Sequence, residues 1–120
     1  MIFIGNDIVE VSRIDTLLEK YQERFLDKNF SKNEIRIVSS KRHRSIHYSG
    51  KFSAKEASRK ALLSAGVGGD IYFKDIEILN KEDGAPYIEI KKIDMDLIKN
   101  FQITISHTDF YATAFALLEL

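Results

Sequence analysis

Hydrophobic positions along the chain switch between two spacings. Ile2, Phe3, Ile4, Ile8 and Val9 make a nearly continuous, β-branched run that predicts a buried strand, broken by Gly5 and Asp7. Ile14, Leu17, Leu18, Tyr21 and Phe25 then recur at three and four, which predicts a helix capped by Ser12 with Asp15 completing a capping-box pattern. Ser31 and Glu34 form a second capping box, with Phe30 and Ile35 as its hydrophobic staple, and a short helix to about Ser39 follows. Gly50, Ala54, Ala57, Ala61 and Ala65 repeat at helical spacing, and Ile46 extends the stripe back toward Lys41. That long helix is expected to begin near Lys41 and to end at Gly66, and its face of small residues permits close approach by another element.

Period-two alternation returns beyond Gly68-Gly69. Asp75 to Leu79 and Tyr87 to Lys91 flank Lys81-Glu82-Asp83-Gly84, a hairpin with an Asp-Gly turn signal, and Pro86 belongs at a strand start or edge. Asp94 to Asn100 suits a short helix. Gln102 to Ser106 and Tyr111 to Leu118 suit a second hairpin joined by His107-Thr108-Asp109-Phe110. The predicted order is β-α-α-α-β-β-α-β-β: one α+β domain over residues 1–120, an antiparallel sheet covered by helices.

Charge changes this picture locally. Eighteen basic and eighteen acidic residues cancel over the chain, so no global pull toward nucleic acid or membrane is expected. Between Lys41 and Lys60, however, lie Lys41, Arg42, Arg44, Lys51, Lys55, Arg59 and Lys60, with Glu56 as the only acid. This suits an anionic ligand; the plain alternative is a solvated basic face, on which His43 and His47 would lie. Glu56 shares a helix side with Phe52, Lys60 and Leu63, and a Glu56–Lys60 surface pair is the simplest explanation for it. Asp7 is the other carboxylate placed where a plain fold prefers apolar residues. Magnesium commonly takes one or two protein carboxylates and completes its shell with water and phosphate, so Asp7 and Glu56 beside a cationic helix suit a magnesium-bound diphosphate. Arg13, Lys20 and Arg24 flank the first apolar stripe, a mixed surface able to receive an acidic helix. With no cysteine, disulfides and thiolate metal sites are excluded. No charged leader or membrane-length apolar run is present, and a soluble cytoplasmic protein is expected.

Four segments in register resemble the holo-acyl-carrier-protein synthases, the short 4′-phosphopantetheinyl transferases of bacterial type. Gly5-Asn6-Asp7-Ile8-Val9-Glu10 is similar to their Gly-x-Asp opening, and Phe52-Ser53-Ala54-Lys55-Glu56-Ala57-Ser58-Arg59-Lys60 to their Lys-Glu-Ala signature. Gly84-Ala85-Pro86 resembles their Gly-x-Pro turn, although Ala85 offers no long side chain, and Ser106-His107-Thr108 resembles their Ser/Thr-His segment. The resemblance implies transfer of 4′-phosphopantetheine from coenzyme A to a serine of apo-acyl carrier protein, releasing adenosine 3′,5′-bisphosphate. It implies magnesium on Asp7 and Glu56, and Lys60 facing the diphosphate. Gly84 to Pro86 would meet the nucleotide through backbone and His107 would line the coenzyme A pocket, with Lys51 and Arg44 as candidates for the 3′-phosphate. Glu56 and a metal-held water both remain open as the base. The resemblance further implies a homotrimer with active sites between subunits, and a carrier-docking surface at Arg13, Leu17, Tyr21, Arg24 and Phe25. Two other readings predict different behaviour: a nucleic-acid-binding α+β module using the basic helix 41–60, with salt-dependent binding, and an inert scaffold that holds coenzyme A without turnover.

Overall fold

The computed structural model describes all residues, 1–120. Strand β1 (Ile2–Glu10) leads into helices α1 (Val11–Tyr21), α2 (Glu23–Asn29), α3 (Lys32–Ser39) and α4 (Arg44–Ser64); strands β2 (Ile76–Asn80), β3 (Pro86–Ile90), β4 (Asn100–His107) and β5 (Tyr111–Glu119) follow. The strands form two antiparallel sheets, β1-β5-β4 and β2-β3. The α+β class and the helix-covered antiparallel sheet are therefore as expected, with the strands divided between two sheets.

Helix α4 is the spine. Ala54, Ala57 and Ala61 are fully buried against Ala114, Ala116 and Leu118 of β5 and Ile103 of β4. Small residues on both partners bring the backbones close. A Cβ on Gly5 would stand 2.1 Å from the Ala57 carbonyl oxygen, so only glycine fits where β1 crosses the helix. The helix ends in a Schellman motif: Gly66 adopts φ +76°, its N–H donates to Leu63 O, and the Val67 N–H donates to Leu62 O. A second cluster, Val9, Ile14, Phe25, Leu26, Phe30, Val38 and Tyr48, fastens α1, α2 and α3 to the other end of α4.

The Ser31–Glu34 capping box forms as predicted. Several local expectations are corrected. The first helix starts one residue before Ser12, with Glu10 at its N-cap and no side-chain cap. It does not run on to Phe25: Gln22, at φ 46°, breaks it into α1 and α2. Helix α4 begins at Arg44 and not near Lys41, because His43 adopts the left-handed conformation. Residues 94–100 form only a 3-10 turn at Met95–Leu97, capped by Asp94, before β4 begins. Strand β1 is also not covered on both sides. Gly5, Asp7 and Val9 face α4, while Ile2, Ile4 and Ile8 are each more than half exposed and share an open sheet face with Phe115 and Tyr111.

Candidate active site

Two parts of the molecule gather the predicted residues, on different sides of α4. The first lies where β1 meets the middle of that helix. Ser53 Oγ donates to the Asp7 carbonyl at 3.1 Å, and Lys60 Nζ donates to the Asn6 carbonyl at 3.1 Å. Glu56 lies three residues after Ser53 and four before Lys60, on the turn between those two anchors, and it is not among the residues that line the opening at Asp7 and Lys60. The expected Glu56–Lys60 surface pair does not form. Lys60 instead reaches Asp7 Oδ1 at 3.4 Å, and Glu56 has no ion-pair partner in the chain. The Asp7 side chain is 16% exposed, and its carboxylate meets the Lys60 ammonium at a restricted opening. No group of three or more His, Cys, Asp or Glu forms a metal cage. Two carboxylates suit a hard cation that takes its remaining ligands from water and phosphate oxygens.

The second part is a cleft of about 470 Å³ between the start of α4, the end of β4 and the β2–β3 turn. Lys51, Gly84, Pro86 and His107 all line it, together with Lys41, His47, Asn80 and Lys81. Gly84 adopts φ +90° and closes the hairpin turn, its N–H donating to Lys81 O, while Asn80 Nδ2 donates to the Gly84 carbonyl at 3.1 Å. Lys51 is buried at the cleft floor. Its Nζ donates to Ile78 O at 2.5 Å and Asn80 Oδ1 at 3.4 Å, and burial lowers its pKa against the opposing pull of Glu34. Lys51 therefore fastens α4 to β2 at the floor of the cleft. Arg44 is not brought into this cleft; it lines a separate groove with Asp15, Glu19, Glu23 and Asp27, its guanidinium 5.7 Å from the Tyr48 ring centre.

Leu17, Tyr21, Arg24 and Phe25 border one depression on α1 and α2, and Arg13 with Leu17 borders the next, beside Ile8 and Tyr111. Phe25 is core, stacked on Phe52 at 6.2 Å between ring centres, so it is the floor of that surface and not a projecting contact. The sequence reading missed His47 as a cleft residue, although it precedes Lys51 by one helical turn. It also missed Lys55, whose buried Nζ meets Glu34 Oε1, Asn29 O and Phe73 O. With Lys51 and Lys55 buried and Lys60 turned to β1, α4 presents no continuous cationic surface, and the nucleic-acid reading loses its footing. No helix is long and apolar enough to cross a membrane.

A domain of this fold, with Asp7 and Lys60 paired on one side of its spine and a cationic cleft on another, has counterparts of known class. The family model described as the 4′-phosphopantetheinyl transferase superfamily matches residues 3–116. The holo-[acyl-carrier-protein] synthase of Protochlamydia amoebophila is 43% identical over 115 residues, covering 94% of this chain and 93% of that one. The holo-[acyl-carrier-protein] synthase of Helicobacter pylori, solved in complex with coenzyme A, superposes with TM-score 0.83 at 33% identity, covering 97% of this chain and 99% of that one. Its Neisseria meningitidis counterpart gives TM-score 0.87 at 26% identity over the full length of both. The chain belongs to this transferase superfamily and, within it, to the holo-acyl-carrier-protein synthases.

Proposed function

We propose that the chain transfers 4′-phosphopantetheine from coenzyme A to a serine hydroxyl of an apo-acyl carrier protein, with magnesium held by Asp7 and Glu56. The observation that supports this reading is the anchoring of β1 at Asn6 and Asp7 to α4 by Ser53 and Lys60, the residues that flank Glu56, in a chain whose relative in Helicobacter pylori was solved with coenzyme A. In the reaction the serine oxygen attacks the phosphorus that bears the pantetheine arm. A new phosphodiester forms, the bond to the other phosphate breaks, the serine proton passes to a base, Glu56 or a water, and adenosine 3′,5′-bisphosphate leaves. Magnesium held by Asp7 and Glu56 would supply Lewis-acid polarisation and charge neutralisation for the reacting phosphate. Lys60, with its Nζ already beside Asp7, adds a positive charge to the developing phosphate. Across the cleft, Gly84 and Pro86 present backbone to the nucleotide and His107 borders it.

The two parts share no lining residue and sit on different sides of α4, so one chain by itself brings only half of the site to a ligand. The open face of β1-β5-β4, with Ile2, Ile4, Ile8 and Phe115 exposed, is the surface through which copies assemble. A closed ring of three would set the acid pair of one subunit against the cleft of the next. Transfer is tested by mixing the protein with an apo-acyl carrier protein, coenzyme A and magnesium and weighing the carrier. The carrier gains one phosphopantetheine arm, and a chelator abolishes the gain; an unchanged carrier mass under those conditions overturns the reading.

The carrier itself is expected at α1 and α2. Reversing Arg13 and Arg24 to glutamate should raise the KM for the carrier by about tenfold or more, with little change in the KM for coenzyme A, since steering charges act on the partner they face. Steady-state kinetics with each substrate varied in turn checks this, and an unmoved carrier KM removes the docking surface.

A further inference from the structure

Strands β2 and β3 make a sheet of their own, and the turn between them projects from its end with Lys81 to Gly84 exposed. A two-stranded hairpin has little stability by itself, so the position of that turn depends on what ties it to the body. Its own hydrogen bonds are local: Lys81 N–H donates to Ala85 O, Gly84 N–H to Lys81 O, and Ala85 N–H to Asp83 Oδ1. They shape the turn without locating it. Asn80 supplies a link that leads out of it. Its Nδ2 donates to the Gly84 carbonyl at 3.1 Å, and its Oδ1 accepts from Lys51 Nζ at 3.4 Å. The amide can sit only this way round, since an ammonium only donates and a carbonyl only accepts. Asn80 lies two residues beyond Ile78 and shares its strand face, which Ile78 packs into the core with Ala54 of α4. Ile78 is itself gripped twice, its N–H by Glu34 and its carbonyl by Lys51. Helix α4 thus holds the strand at Ile78 and, through Asn80, the turn beyond it.

We infer that Asn80, oriented by Lys51, is a positioning residue for coenzyme A: it locates the Gly84 carbonyl, and with it the turn's backbone, at the cleft wall where the nucleotide half of the ligand is to lie. The inference rests on the proposal that this cleft receives coenzyme A. Asn80 is exposed and belongs to neither apolar cluster, so its side chain is not needed for the core. What it contributes is preorganisation. A turn already in place loses less freedom when the ligand arrives, and affinity falls when that placement is lost. The same backbone contacts serve substrate and transition state alike, so the loss appears in binding and not in kcat.

The experiment is calorimetric titration of coenzyme A and, separately, of adenosine 3′,5′-bisphosphate into the assembled protein, Asn80→Ala, Lys51→Met and the double variant. Asn80→Ala should raise both dissociation constants by the same factor, about fivefold, the size of one modest hydrogen bond. The KM for coenzyme A should rise with them, while kcat and the KM for the carrier stay within about twofold of the parent. Lys51→Met should weaken both ligands likewise, and the double variant should bind no more weakly than the worse single one, as two links of one tether must. Dissociation constants unchanged by either single substitution, a loss confined to coenzyme A, or a kcat that falls in step with affinity overturns the positioning role. A double variant weakened by the product of the single losses makes Lys51 an independent contact and overturns the tether. Failure of the parent protein to bind either ligand overturns the reading of the cleft itself.

Discussion

Co-assembly of two inactive variants is expected to restore about a quarter of the parent activity. Asp7→Ala removes one of the two proposed metal-binding carboxylates, and His107→Glu puts a negative charge in the proposed coenzyme A cleft. Each alone should be silent, since each spoils every site. In a mixed ring a site needs an intact Asp7 from one subunit and an intact His107 from its neighbour. With equal amounts and random assembly, each condition holds half the time, which gives about one site in four. The mixture should be made by co-expression or by refolding together, and assayed for carrier modification. Recovery well above background supports sites shared between subunits. No recovery, with mixed assemblies demonstrated by mass, would mean that both halves come from one chain.

The second large effect concerns stability. Lys55 and Glu34 are both fully buried, and Lys55 Nζ bonds Glu34 together with the Asn29 and Phe73 carbonyls. Glu34 also accepts from the Ser31 and Ile78 N–H groups. These few atoms tie α2, α3, α4 and β2 together, directly behind the strand to which Lys51 is fastened. Burial outweighs the attraction of Glu34 and brings the Lys55 pKa down to about 8. The pair is thus no better than an apolar substitute in principle, but removing one partner strands the other. Lys55→Met should cost roughly 3–5 kcal/mol, seen in urea unfolding at fixed protein concentration, and adding Glu34→Gln should return part of it. The pH dependence has a definite sign. The unfolded chain keeps the lysine proton up to its ordinary value of 10.5 whereas the folded chain releases it near 8, so this group makes stability rise between those limits. A neutral Lys55→Met would remove the hub from the account.

Much of this was legible in the residues because local chemistry and tertiary need agreed. The Ser31–Glu34 box formed because both orphan N–H groups had one answer, and Glu34 then served the core as well. Gly5 and the alanine stripe announced the close crossing of β1 and α4. The break at Gln22 was not legible, since Leu18, Tyr21 and Phe25 keep helical spacing straight through it; only packing of Phe25 against Phe30 and Phe52 decides the turn. The charge count over 41–60 misled for a related reason. Lysine reads as solvated by type, yet Lys51 and Lys55 find carbonyl and carboxylate partners from strands and helices distant in sequence. The open face of β1 was hidden too, because a strand apolar on both sides looks the same whether a helix or another subunit covers it.

Asp7 and Glu56 acting together is tested most directly by divalent-ion binding to the folded protein. Manganous ion, a spectroscopic substitute for magnesium, should lose its free-ion paramagnetic resonance signal on addition of protein and coenzyme A, at about one ion per chain. Asp7→Ala and Glu56→Gln, with helical content intact by circular dichroism, should leave the ion free. Full binding by either folded variant would contradict a site built from both carboxylates.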